Sequence, residues 1–337
     1  MPLAGPIGSP EIVADAIHRA LRDEAVEVTG MKLLAGGAMH DSWGADAAGQ
    51  QLVVRLSPPG RDDIERSRAE FAALKVMHER GVRVPKPIFV GENERDQTFM
   101  VMSRVSGDSN PRQLLTNPDL AACREQIIPD LAECLAQIHA APLAAVEAKL
   151  RSPRPDEDAL LFEIEREVEE YDRVKQNPHP VIEWSLRWVA RRIAELKPRT
   201  RPLHVVHGDF RVGNMMYDEH GLTASIDWEG VHVGEAEDDL TWFCTRVWRF
   251  NRKDLPAGGI TTRETWIAAY EKASGHTIDR ERFRLWEVFH NIRWSVICMM
   301  QSKQHLDGTM DSHEHAAIGR RAADTELEVL RLTGVVG

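Results

Sequence analysis

Cysteine is scarce in this chain. The four present (Cys123, Cys134, Cys244, Cys298) lie far apart, and no CxxC pair occurs. That spacing supports neither a zinc site nor a disulfide framework, so a reducing cytoplasm is the expected compartment. Long apolar runs are missing too. A membrane-crossing helix needs about 20 consecutive apolar residues. The strongest candidate, residues 285–300, is interrupted by Glu287, His290, Asn291 and Arg293. The opening stretch MPLAGPIGSPEIV has no basic region and no apolar core of the secretory kind. No membrane partner is therefore expected. Positive charge is in deficit: 42 Lys and Arg against 53 Asp and Glu give a net charge of -11. This argues against a nucleic-acid partner bound through phosphate neutralisation. Internal repeats and low-complexity segments are also lacking. What is present is an ordinary globular composition, 42% hydrophobic and 28% charged, able to bury a sizeable core in one large domain or two.

The informative stretch is residues 203–228, LHVVHGDFRVGNMMYDEHGLTASIDW. Two short apolar runs each end at an acid. The first leads into His207-Gly208-Asp209, with Asn214 five residues after Asp209; the second leads into Asp227. Met215-Met216-Tyr217 followed by Asp218-Glu219-His220-Gly221 reads as a strand and a turn. A returning hairpin would then bring two carboxylates and one amide oxygen around a small space. Phosphoryl transfer needs such a set. One group orients the attacking hydroxyl, and hard oxygen ligands hold Mg²⁺ against the phosphates.

The pattern H-G-D-x-x-x-x-N followed by I-D-W resembles the aminoglycoside phosphotransferase family of small-molecule kinases. The longer run IDWEGVHVGEAEDDLTWF resembles a branch of that family found alone or fused to acyl-CoA dehydrogenases. The resemblance implies an α+β, protein-kinase-like two-lobe fold. An antiparallel-sheet, nucleotide-binding lobe would occupy residues 1–105, and a mainly helical catalytic and substrate-binding lobe residues 106–337. It implies Mg²⁺-dependent transfer of the γ-phosphoryl of ATP or GTP to a hydroxyl of a small molecule. Asp209 would be catalytic, and Asn214 and Asp227 would hold the metal. Arg211 stands where many protein kinases place a lysine facing the transferred phosphate. Asp239 matches the aspartate that braces the catalytic loop. The acceptor stays open among aminoglycosides, macrolides, hydroxylated acyl chains, sugars and amino alcohols, and so does the oligomeric state.

The rest of the chain is consistent with this frame. Ser9-Pro10-Glu11 is a strong helix start. Three antiparallel strands follow, and Gly36 and Gly37 sit in the turn after the first. Their N–H groups could approach a phosphate, although a Gly-Gly hairpin needs none. The strand residues 52–56 carry Arg55 where the kinase pattern has a phosphate-binding lysine. Arginine also binds phosphate, through a fixed fork of donors. Residues 62–80 read as a helix, and its Glu70 matches the acid that pairs with the strand cation. Ser103 and Val105 fall at the hinge whose backbone would meet the purine edge. His139 reads as a core histidine at the end of an apolar helix. The helix after Gly234 is expected to run through Val247. In the helix around residue 290, Leu285, Phe289, Ile292, Val296 and Met299 form a buried stripe. Trp286, His290 and Arg293 lie on the neighbouring face, where packing or substrate contact would both account for them. Two other functions compete. A nucleotide-binding pseudokinase is favoured by the Arg55 departure. A metal-dependent hydrolase would use His204, His207, Asp209 and Asp227, but the sequence offers no second ligand cluster.

Overall fold

Alternation along one strand explains how the first lobe is built. In β3 (Gln50–Leu56) the residues Leu52, Val54 and Leu56 are fully buried on one face, which turns Val53 and Arg55 to the other. The buried face is covered by α1 (Pro10–Leu21), whose Val13, Ala16 and Ile17 form one helical stripe. Ser9 caps that helix by accepting the Ile12 N–H, and Pro10 occupies its first turn. Around β3 stand β1 (Val28–Gly36), β2 (Asp41–Ala47), β4 (Pro87–Glu92) and β5 (Thr98–Ser103). They form one antiparallel sheet in the order β1-β2-β3-β5-β4. Helix α2 (Ile64–Glu79) joins α1 as the other helix of this half, and its Ala69, Ala73, Leu74 and Met77 enter the core of the helical half. This computed structural model describes residues 7–36, 40–60, 64–146, 150–196, 201–310 and 313–336.

The second half is mainly helical. After α3 (Pro111–Thr116) and α4 (Ala121–His139) comes the helix pair α5 (Ala159–Val174) and α6 (Pro180–Glu195). Four short strands follow: β6 (His204–Val206), β7 (Met215–Asp218), β8 (Gly221–Ser225) and β9 (His232–Gly234). The β7–β8 hairpin is the one the sequence indicates. The pairing of β6 with β9, Val205 opposite Val233, joins segments that no local pattern connects. The chain continues through α7 (Ala236–Trp242), α8 (Arg263–Ser274), α9 (Arg280–Leu306), α10 (His313–Ile318) and α11 (Ala322–Leu332).

Helix α7 stops at Trp242, five residues short of the expected end at Val247. The Cys244 and Thr245 N–H groups already donate three residues back, to the carbonyls of Thr241 and Trp242. The Arg246 N–H donates to Asn291 Oδ1 (3.2 Å) instead of to the carbonyl of Trp242, and the chain tightens into a 3-10 turn at Arg246–Arg249. Helix α9 is the buried axle of this half, with Leu285, Val288, Phe289, Ile292 and Val296 packed against α5, α6, α7 and α11. Its buried polar residues are tied in as well. Arg249 donates to Glu328 Oε1 (2.6 Å) and Glu287 Oε1 (3.0 Å), and Arg263 donates to Glu287 Oε2 (2.8 Å). Removing one member of such a buried set leaves the others charged and unpaired. Glu287→Ala is therefore expected to lower stability by about 3–5 kcal/mol. Urea unfolding would show this as a lower midpoint at unchanged slope; a midpoint equal to wild type would mean Arg249 is solvated there.

Candidate active site

The site is assembled on the loop between β6 and β7. Gly208 has φ +81°, and a Cβ there would come within 2.2 Å of the Gly230 carbonyl oxygen. The catalytic loop and the loop carrying Asp227 therefore cross backbone to backbone, which requires glycine. Asp239, in the first turn of α7, fixes this crossing. Its two carboxylate oxygens accept the N–H groups of His207 (2.8 Å) and Gly208 (2.9 Å). Behind it, His139 Nε2 lies 3.2 Å from Asp239 Oδ2, and His139 Nδ1 lies 2.7 Å from the Tyr270 hydroxyl. His139 is a core histidine, as expected. His207 is fully buried against Trp228, and its ring bonds the Ile226 carbonyl (3.2 Å). Burial holds its pKa below the usual histidine range. It props the loop. His204 lies deeper, its Nδ1 on the His139 carbonyl (2.8 Å) and its pKa depressed by burial to about 4. Neither histidine joins Asp209 in a ligand set, and among the described residues no group of three His, Cys, Asp or Glu side chains is placed to hold a metal.

Asp209 is held from three sides. Oδ1 accepts the Trp242 indole N–H (2.6 Å), Oδ2 accepts the Asn214 amide (2.6 Å), and Arg211 Nε spans both oxygens at 3.2 and 3.1 Å. A carboxylate offers about four lone-pair sites, and these four contacts fill them. Burial raises the Asp209 pKa above the ordinary aspartate value, against the pull of Arg211; Asp227 adds to the rise. Asn214 turns its NH₂ to Asp209, which leaves its Oδ1 for a cation. Its carbonyl accepts the Ile226 N–H (2.9 Å), and this bond delivers the next residue, Asp227, to the same place. Asp227 has φ +66°, a left-handed conformation that costs a non-glycine residue about 1–3 kcal/mol and is tolerated best by Asn and Asp.

From the sheet, Arg55 makes an ion pair with Glu70 and reaches within 4.0 Å of Asp227. Glu70 is buried and Arg55 partly so, and the pairing raises the Arg55 pKa although burial opposes it. The strand cation and its helix acid thus meet as the resemblance implied. At the hinge, the Ser103 N–H is used on the Lys86 carbonyl (2.9 Å), while no hydrogen bond reaches the Val105 backbone among the described residues. Gly36 ends β1 opposite Asp41, and Gly37 lies outside the described residues.

Two site residues had no signal in the sequence. Trp242 reaches Asp209 from 33 positions away. Glu229, two residues after Asp227, has its carboxyl pKa raised by burial and then by Asp227. His40 Nδ1 stands 3.5 Å from it. The carboxylates of Asp227 and Glu229, with the Asn214 amide oxygen, are the hard oxygen donors that a divalent cation takes.

Such an arrangement can position a hydroxyl, bind a polyphosphate and hold a metal between them. Together with the kinase-like fold it defines a phosphotransferase enzyme. The chain belongs to the APH phosphotransferase enzyme family, whose sequence pattern it matches over residues 30–286. It is 25% identical over 286 residues to acyl-CoA dehydrogenase family member 10 of Mus musculus, which is 79% of this chain but only 25% of that protein, so the chain spans about a quarter of that relative's length. A crystal structure from Ralstonia eutropha JMP134, classed as an aminoglycoside phosphotransferase, superposes with a TM-score of 0.75 at 20% identity, covering 98% of this chain and 99% of that one. The GDP complex of wild-type aminoglycoside 2'-phosphotransferase-IIIa gives 0.66 at 13% identity, covering 96% and 99%. A ternary complex of aminoglycoside phosphotransferase APH(4)-Ia with ADP and hygromycin B gives 0.61 at 18%, covering 95% and 98%. These likenesses establish the fold. No helix of the described residues is long and apolar enough to cross a membrane.

Two measurements test the site's architecture. Gly208→Ala forces apart two crossing backbones and is expected to cost about 2 kcal/mol or more, with loss of turnover; a stable, active variant would mean the crossing is loose. Glu167, on α5, has its carboxyl pushed up to about 7 by burial. The folded state thus holds that proton more tightly than the unfolded chain. The resulting stability is complete below about pH 4.5 and is lost as pH rises through 7. Glu167→Gln should therefore gain on wild type as pH rises from 4.5 to 8, by on the order of 1–3 kcal/mol. A difference in melting temperature that does not change with pH would contradict this.

Proposed function

We propose that the protein transfers the γ-phosphoryl group of ATP or GTP to a hydroxyl of a small molecule, with Mg²⁺ as cofactor. The observation that carries this reading is the convergence of Asp209, Asn214 and Asp227, braced by Asp239, with the Arg55–Glu70 pair facing Asp227. Asp209 receives the acceptor hydroxyl in place of an Arg211 contact and takes up the proton as the hydroxyl oxygen bonds to phosphorus and the bond from phosphorus to the β–γ bridging oxygen breaks. Its raised pKa suits that role, and a loose transition state needs the proton removed only late. Asn214 and Asp227, with Glu229, would hold Mg²⁺, whose chemistry there would be to offset the negative charge of the phosphates. Arg55, oriented by Glu70, takes the α/β-phosphates as a fork of donors. The backbone of Gly36, at the end of β1, covers the phosphates. The hinge at Ser103 and Val105 meets the base, with the Val105 backbone supplying the free groups. Arg211 sits over the Trp248 ring (4.6 Å) while bonded to Asp209. We assign it to holding the base in place and to neutralising charge at the transferred group. The lobes divide near Val105 in this reading. The four cysteines, all buried and unbridged, suit the cytoplasm.

Asp209→Ala is expected to reduce turnover by about 10²–10⁴-fold while nucleotide binding persists. Asp227→Ala should also lose the Mg²⁺-dependent rise in melting temperature that nucleotide produces in wild type. A titration with ATP, GTP and neither, each with and without Mg²⁺, identifies the donor. No shift at saturating nucleotide would sink the reading, and unchanged turnover in Asp209→Ala would sink the mechanism.

A further inference from the structure

Around Trp242 the structure gathers donors that phosphate transfer itself leaves unused. The indole N–H of Trp242 is spent on Asp209, while the Arg293 guanidinium carbon lies 5.5 Å from the ring centroid, over its face. Of the three residues on that face of α9, two are internally satisfied. Trp286 donates to Glu235 (2.8 Å), and His290 sits between Thr241 (2.9 Å) and Asp238 (3.1 Å). Arg293 is not. Among the described residues no carboxylate makes an ion pair with it, although Glu163, Glu167, Asp238 and Asp209 lie near enough to raise its pKa against burial, and its Nη1 is buried without a hydrogen-bond partner. Arg151 is in a similar state: its Nε donates to Glu163 (3.0 Å), but its Nη2 is buried and unpartnered. The indole N–H groups of Trp248 and Trp294, whose rings pack 5.0 Å apart beside Trp242, are also buried without partners.

All four groups are donors that cannot accept. Only an acceptor oxygen satisfies them, and leaving a buried donor unpaired is costly. The nearby carboxylates are occupied. Glu163 holds Arg151 and Arg166 (3.0 and 3.4 Å), Asp238 lies between His232 (3.0 Å) and His290 (3.1 Å), and Asp209 is bound by Arg211. The remaining acid, Glu167, has its carboxyl pushed up to about 7 by burial, against the pull of Arg293.

We propose that the phosphoryl acceptor carries an oxyanion, a carboxylate or a phosphate, held by Arg293 with Arg151 while its hydroxyl faces Asp209. Arg293 is then the residue that selects the acceptor class. This rests on the phosphotransferase reading above.

The test uses the full chain with whichever Mg-nucleotide raises its melting temperature. Release of nucleoside diphosphate is followed with malate, 3-hydroxybutyrate and glycerol 3-phosphate, with neutral glucose and glycerol, and with cationic choline and kanamycin. Turnover is expected from the oxyanion set alone, and comparison of the two hydroxycarboxylates with glycerol 3-phosphate tells carboxylate from phosphate. Arg293→Gln should raise KM for that acceptor about 100-fold with little change in kcat, and Arg293→Lys should recover part of it. Quenching of tryptophan fluorescence by malate or glycerol 3-phosphate, which needs no turnover, should vanish in Arg293→Gln. If that variant does not fold, Arg151→Gln is read in the same way. Turnover with neutral or cationic acceptors at equal or better KM, no quenching and no turnover with any oxyanion, or an unchanged KM in Arg293→Gln would each overturn the proposal. Failure of the phosphotransferase reading looks different, since no nucleotide then shifts the melting temperature.

Discussion

Everything at the active site hangs on one carboxylate that touches no reacting group. Asp239 accepts two successive backbone N–H groups, those of His207 and Gly208. Charge-assisted bonds of this kind are roughly twice as strong as neutral ones, and here both act on the two residues before Asp209. The same carboxylate meets His139 and, through it, Tyr270, so the catalytic loop is anchored to α4, α7 and α8 together. The Gly208–Gly230 crossing then transmits that anchorage to the loop bearing Asp227 and Glu229. Asn214 closes the circuit by bonding both Asp209 and the strand end before Asp227. Asp209, Asn214 and the segment leading into Asp227 are therefore parts of one hydrogen-bonded unit.

The two sides of Asp209 differ in their charge. Toward the sheet, Asp227 and Glu229 face the Arg55–Glu70 pair, and Arg55 offsets part of their charge. Toward α9 the unfilled groups are donors, on Arg293, Arg151, Trp248 and Trp294. Trp242 separates these surroundings while orienting the base by its N–H. An enzyme that moves a phosphoryl group between two ligands needs such an asymmetry, because the donor arrives with its metal and the acceptor without one.

Helix α9 makes the second arrangement affordable. It is buried on nearly all sides, so its polar residues must each be paired, and Glu287, His290, Asn291 and Ser295 are. Arg293 stands out against that background. On an exposed helix an unpaired arginine is solvated and unremarked; on this one, with a buried Nη1, it is an unmet requirement.

The sequence by itself determined the elements whose signals are local. Alternation in β3 fixed which way Arg55 points, the Ser9-Pro10 start fixed α1, and the β7–β8 hairpin brought Asp209, Asn214 and Asp227 together within one short stretch. The resemblance extended this to the Arg55–Glu70 pair and to Asp239, because those residues occupy matching places in a known pattern. Tertiary structure alone decided the rest. Periodicity could not separate Arg293 from Trp286 and His290, since all three share a helix face and differ only in what other segments place opposite them. The turn after α7 depended on Asn291, the β6–β9 pairing on two segments divided by the whole site, and the Trp242–Asp209 bond on a turn set by α9. Each is a contact between residues distant in the chain, formed where burial forces polar groups to find partners, and no window of sequence contains both halves of it.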